Sequence, residues 1–135
     1  MANFSISIKS DFKELWRYNI IVMASIMRSG EQTELLKHCS EIAPVGSELS
    51  EQPKGYNSNR DIILQSQDGD ELTLYIYIIP HTLPKDNSVS NTPPFEMDVK
   101  VKHGVSILYK HRYMINQWSG ENITATIIPA ASEQK

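Results

Sequence analysis

Apolar and polar residues alternate with a period of two along much of this chain, the mark of strands that bury one face. Phe95, Met97, Val99 and Val101 alternate with Glu96, Asp98, Lys100 and Lys102. Past His103-Gly104, the residues Val105, Ile107, Tyr109, His111 and Tyr113 alternate with Ser106, Leu108, Lys110 and Arg112. The two runs predict a β-hairpin. A three-residue connection over 103–105 keeps the apolar sets together, with Val101 opposite Ile107, Val99 opposite Tyr109 and Phe95 opposite Tyr113. The same register sets Asp98 beside Lys110 and Glu96 beside Arg112, two opposite-charge pairs that support it.

A second hairpin is predicted just before it, beginning at Arg60. Ile62 and Leu64 precede Gln67-Asp68-Gly69, and Leu72, Leu74, Ile76 and Ile78 follow. Asp-Gly between apolar alternations is a hairpin signal. With Gly69 left-handed, Leu64 falls opposite Leu72 and Ile62 opposite Leu74. The strand from Leu72 to Ile79 also carries Tyr75, Tyr77 and Ile79 on its other face. Apolar on both sides, it reads as a central strand covered on both sides.

Upstream, Phe4, Ile6 and Ile8 predict a short strand with Ser5, Ser7 and Lys9 outward. A turn over 11–15 leads to a long strand from Trp16 to Met27. Its buried face is Trp16, Tyr18, Ile20, Val22, Ala24 and Ile26, and its mixed second face implies cover on both sides at the centre. Ser29-Gly30 ends it. Over 31–42, Leu35, Leu36, Cys39 and Ile42 sit at helical spacing, and Ser29 with Gln32 fits a capping box. Helix is preferred there, with strand as the other reading. Residues 43–59 and 80–94 carry the prolines and polar residues of long loops. A last strand covers Ile123 to Ile128. The fold expected is all-β: a single-domain antiparallel β-sandwich over 1–128, of about six to eight strands with one short helix near 31–42. Residues 129–135 are expected to form a flexible tail.

Composition changes this picture little. The 135 residues are 40% hydrophobic and 21% charged, ordinary values for one globular domain. A net charge of −3 argues against nucleic acid as a partner. One cysteine, Cys39, allows no internal disulfide, and no basic-then-apolar leader opens the sequence, so a cytoplasmic protein is expected. The apolar run Ile20 to Met27 is too short to span a bilayer as a helix.

Candidate chemistry is sparse. His38 and Cys39 are neighbours, and neighbours in a strand or helix do not face each other, so Cys39 reads as a buried structural thiol. His38, His81, His103 and His111 share no metal-ligand spacing. Asp68, Asp70 and Glu71 gather carboxylates that calcium could use, but an Asp-Gly turn with solvated acids explains them. Lys100, Lys102 and His103 are the charges left unneutralised near the hairpin turn, read first as lysines guarding an edge strand. Trp118, in Asn116-Gln117-Trp118-Ser119-Gly120, and Tyr56 in the first long loop are the candidate binding aromatics. The pattern points to a non-enzymatic interaction module binding a protein partner or its own copies through loops or a sheet edge. Membrane-lipid or glycan recognition comes second and enzyme last, there being no nucleophile elbow, paired-carboxylate motif or phosphate-cradling glycine loop. No cofactor is expected.

Overall fold

A computed structural model describes residues 2–40, 46, 61–84 and 92–129. Strands β1 (Asn3–Lys9), β2 (Tyr18–Arg28), β3 (Glu31–Ser40), β4 (Asp61–Asp68), β5 (Glu71–Pro80), β6 (Phe95–His103), β7 (Ser106–Ile115) and β8 (Glu121–Ile127) make up the fold. A 3-10 turn at Leu15–Arg17 precedes β2. Two antiparallel four-stranded sheets stack face to face, in the orders β4-β1-β6-β7 and β3-β2-β5-β8. The expected all-β sandwich is what the chain forms, without an α-helix among the described residues.

The core is the set of inner-facing alternate residues on the four central strands. Phe4, Ile6 and Ile8 of β1 and Phe95, Met97, Val99 and Val101 of β6 meet two sets from the other sheet. Those are Tyr18, Ile20, Val22, Ala24 and Ile26 of β2 and Leu72, Leu74, Ile76 and Ile78 of β5. Period-two burial runs through all four, so each sheet turns one face inward. Trp16 is buried as expected, but from the 3-10 turn rather than from β2.

Several expectations are corrected. Residues 31–40 are strand, not helix. Ser29 and Gly30 both adopt positive φ (55° and 82°), the two-residue turn that matches strand twist, and β3 returns antiparallel along β2. Residues 60–79 do not form a hairpin. β4 pairs with β1, setting Leu64 opposite Ile6 and Ile62 opposite Ile8, while β5 lies in the other sheet between β2 and β8. The Gly69 and Asp70 amides donate to the carbonyls of Ala2 and Met27, so this link crosses from one sheet to the other. Gly69 is needed for space rather than for a left-handed φ: a Cβ there would lie 2.5 Å from Ile26 Cγ2.

The β6–β7 hairpin exists, in a different register. Its turn is Gly104-Val105, with His103 opposite Ser106, and an irregularity at Leu108 follows. Val101 then faces Tyr109, Val99 faces His111, Met97 faces Tyr113 and Phe95 faces Ile115. His111 is therefore opposite Val99 rather than Met97, and it is exposed. In register Asp98 stands opposite Arg112 and Lys100 opposite Lys110, in place of Asp98 opposite Lys110; the expected Glu96–Arg112 ion pair forms, but diagonally, at 3.5 Å.

Gly69→Ala should destabilise the protein by about 1–3 kcal/mol through overpacking against Ile26. Urea denaturation of the variant checks this, and an unchanged midpoint would show that the inter-sheet crossing is looser than this geometry.

Candidate functional site

One side and one end of the sandwich are held by specific bonds. Along the β3/β4 side, Arg28 of β2 pairs with Asp68 of β4 at 3.1 Å. Glu34 of β3 accepts from the Gln67 amide at 2.9 Å, and Asp70 accepts from the Ser29 amide at 2.9 Å. The carboxylates of Asp68 and Asp70 thus serve as ties between strands, and Glu71 lies opposite Met27. Among the described residues no three histidine, cysteine or acidic side chains converge as a metal site would require. His103 ends β6 with Nε2 at 2.9 Å from the Gly69 carbonyl and its ring 4.6 Å from that of Phe4, a structural tie.

A buried polar cluster plugs the opposite end. The Arg17 guanidinium is 1% exposed, lies beside the rings of Phe12 and Tyr18, and donates to Gln117 Oε1 at 2.6 Å and Glu14 Oε1 at 3.2 Å. Its Nε finds no hydrogen-bond partner among the described residues. Tyr18 donates its hydroxyl to the Gln117 carbonyl, and burial pushes its pKa up to about 12 against the opposing pull of Arg17. Gln117 Nε2 in turn donates to the Pro93 carbonyl. His81 Nε2 lies 2.7 Å from the Trp16 carbonyl, which can only accept, so Nε2 carries the proton and Nδ1 faces the Thr82 hydroxyl. Half of these bonds end on backbone carbonyls and the rest join the side chains to one another, so the cluster reads as a structural plug.

Trp118 belongs to this end. Asn116 Oδ1 accepts from the amides of Trp118 and Ser119, and the indole Nε1 donates to Thr92 Oγ1 at 2.9 Å. The ring is half-buried and anchored, not held out to solvent. Gly120 closes the loop at φ +69°, where an added Cβ would strike the Ile78 carbonyl. Tyr56 lies outside the described residues. Cys39 is exposed rather than buried, because β3 is an edge strand and Cys39 points outward from it.

The two outer faces differ in chemistry. On the β4-β1-β6-β7 sheet, register aligns Asp61, Lys9, Asp98 and Arg112 as one row of alternating charge. Arg112 holds Asp98 at 2.8 Å and Glu96 at 3.5 Å, and its hydrogen bond keeps the Asp98 carboxyl below the usual range. The next row is Ile63, Ser7, Lys100 and Lys110, and the one after ends in Ser5, Lys102 and Ile107. Lys100, Lys102 and Lys110 form no ion pair among the described residues. An open trough of about 570 Å³ runs beside Ser7, Lys9, Lys100 and Lys110. Lys100 and Lys102 do not guard an edge, since β6 is paired on both sides.

On the β3-β2-β5-β8 sheet the central outer rows are apolar where they cross β2 and β5. Cys39, Ile21, Tyr77 and Asn122 make one row, and Lys37, Met23, Tyr75 and Thr124 the next. Leu35, 52% exposed, flanks them opposite Ser25, and Ile79 extends them beside Asn19. This is the second face of β2 and β5 that the sequence pattern marked as covered. Within the described residues no third layer lies over it; Ile21, Met23, Tyr75 and Tyr77 are half-buried. Sequence reasoning took these four for core.

No protein-family model, curated protein or solved structure matches this chain. No helix among the described residues is long and apolar enough to cross a membrane.

His81 makes stability depend on pH. Burial lowers its pKa from the ordinary 6.5, so the unfolded chain binds the proton more readily than the fold does. Its contribution is complete above that value and is lost as pH falls below it. Thermal melts between about pH 7.5 and about pH 5 should show a falling Tm, with a flatter slope in His81→Gln. Equal slopes in both proteins would remove His81 as the cause.

Proposed function

We propose that this chain is a non-enzymatic interaction module that binds a protein through the outer face of its β3-β2-β5-β8 sheet. The observation that carries this reading is the pairing of Ile21 with Tyr77 and Met23 with Tyr75 on a face with no third layer among the described residues. Tyrosine and methionine are enriched at protein interfaces, and charge is depleted at interface centres. Here the charge sits at the rim, with Lys37 on the β3 edge. A tyrosine offers a large apolar ring at little entropic cost, and a methionine adapts to the partner's shape. A sheet surface apolar enough to resemble core, left in water, is an association surface.

Lipid or glycan recognition has less support. It called on Trp118 as a platform, and that ring is tied to Thr92 at the plugged end. An exposed Cys39 at the rim suits the cytoplasm, where thiols stay reduced.

Photo-crosslinking in cells tests the reading. A benzophenone amino acid at Met23 or Tyr75 should give a discrete protein adduct, and one at Ser7 on the opposite sheet should not. An adduct of two copies of this chain would specify self-assembly within the same reading. No adduct from Met23 or Tyr75, with adducts from Ser7, would overturn it.

A further inference from the structure

We infer that the β7 edge takes up an extended segment of another protein in which acidic and apolar residues alternate, as an added antiparallel strand. This goes beyond the proposed function, because β7 belongs to the other sheet. Three observations carry it. β7 ends its sheet, and among the described residues its backbone pairs with β6 alone. Such an edge presents a row of amides and carbonyls ready to accept a strand. Apolar side chains crowd this edge: Ile107 and Met114 are each 54% exposed, and Val105 at the turn is 97% exposed.

The second observation is the charge pattern. An added strand lengthens each cross-strand row by one position. In the row Asp61, Lys9, Asp98, Arg112, the sign alternates and the next position beside Arg112 calls for a carboxylate. In the next row Lys100 and Lys110 stand side by side without an acid, although like charges directly opposite weaken a sheet. A carboxylate beyond Lys110 offsets that repulsion. On the inner side the same strand would lie along Tyr109, His111 and Tyr113. Tyr109 and Tyr113 are half-buried and bonded to each other through their hydroxyls, and His111 is exposed between them. Apolar residues of the added strand would complete their cover, so the segment alternates.

The third observation disfavours a second copy as the occupant. Antiparallel self-pairing of β7 centred on Lys110, His111 or Arg112 sets lysine or arginine opposite its own kind. A register centred on Tyr109 escapes this but leaves 113–115 unpaired, and those centred on 108 or 113 leave half the strand unpaired. The edge therefore favours an acidic partner over its own copy.

Two synthetic peptides matched to the ten residues of β7 supply the probe. One alternates glutamate with valine, and in the other lysine replaces each glutamate. Added to the isotope-labelled full chain, the glutamate peptide should slow amide exchange along β7 and bind about tenfold more tightly than the lysine peptide. Lys110→Glu should abolish that preference, while Lys110→Gln, which keeps the backbone edge, should only reduce it. Equal protection of β7 by both peptides would overturn the acidic partner. Protection of β7 by neither would overturn strand addition itself. Sedimentation with anionic phospholipid vesicles that needs Lys100 and Lys110, with no peptide protection, would reassign the lysines to lipid headgroups. Crosslinks from Met23 and Tyr75 come from the opposite sheet, so none of these outcomes alters the proposed function.

Discussion

A two-layer sandwich buries one face of each sheet and no more, and this constraint governs the molecule. The inner faces of β1, β6, β2 and β5 meet and fill the core. Covering a second face takes a third layer, usually helices, and no helix is present among the described residues. Yet β5 is apolar or aromatic on both faces, and β2 is mixed on its second. The surplus apolar side chains therefore face outward, where no third layer among the described residues covers them. The same constraint leaves the edges to separate devices. Cross-sheet ties hold the β3/β4 side, and the Arg17–Gln117 cluster holds one end. On the β7 edge, Tyr109 and Tyr113 bond to each other.

Which residues face inward was legible in the sequence, but which strands pair was not. Period-two alternation fixes a side chain's face, and a shift of two residues leaves that face unchanged. Hence the inner sets of β6 and of Tyr109 to Tyr113 kept their face while every opposite pair in the hairpin moved; past the irregularity at Leu108, Ile107 turned outward opposite Lys102. Partner choice is non-local. Ile62 and Leu64 found Ile8 and Ile6, more than fifty residues upstream, rather than β5 next door, and the Asp-Gly signal marked a bend between sheets. β3 was misread because an edge strand half in water needs no strict alternation, so chance helical spacing of Leu35, Leu36 and Cys39 competed with it. The stronger local evidence was Ser29-Gly30, whose paired positive φ angles return the chain along β2.

The candidate surfaces were legible as residues and not as surfaces. Lys100, Lys102 and the charged partners around them stood out, but their meaning changed once β6 proved internal, since an internal strand needs no guard. Trp118 looked like an exposed platform because its neighbours are polar; those neighbours supply the hydrogen bonds that anchor it. Tyr75 and Tyr77 looked like core because alternation cannot say whether a second layer exists. The two outer faces now differ in kind, one apolar with its charge at the rim, the other charged in rows.

The central claim is that Ile21, Met23, Tyr75 and Tyr77 stand uncovered in the isolated chain. Methyl NMR with a soluble paramagnetic agent measures this directly on protein diluted until light scattering gives the monomer mass. The Met23 methyl should relax strongly while that of Met97, buried in the core, is spared. Equal sparing of both methyls would mean that the chain covers this face itself, and the interaction surface would have to be sought elsewhere.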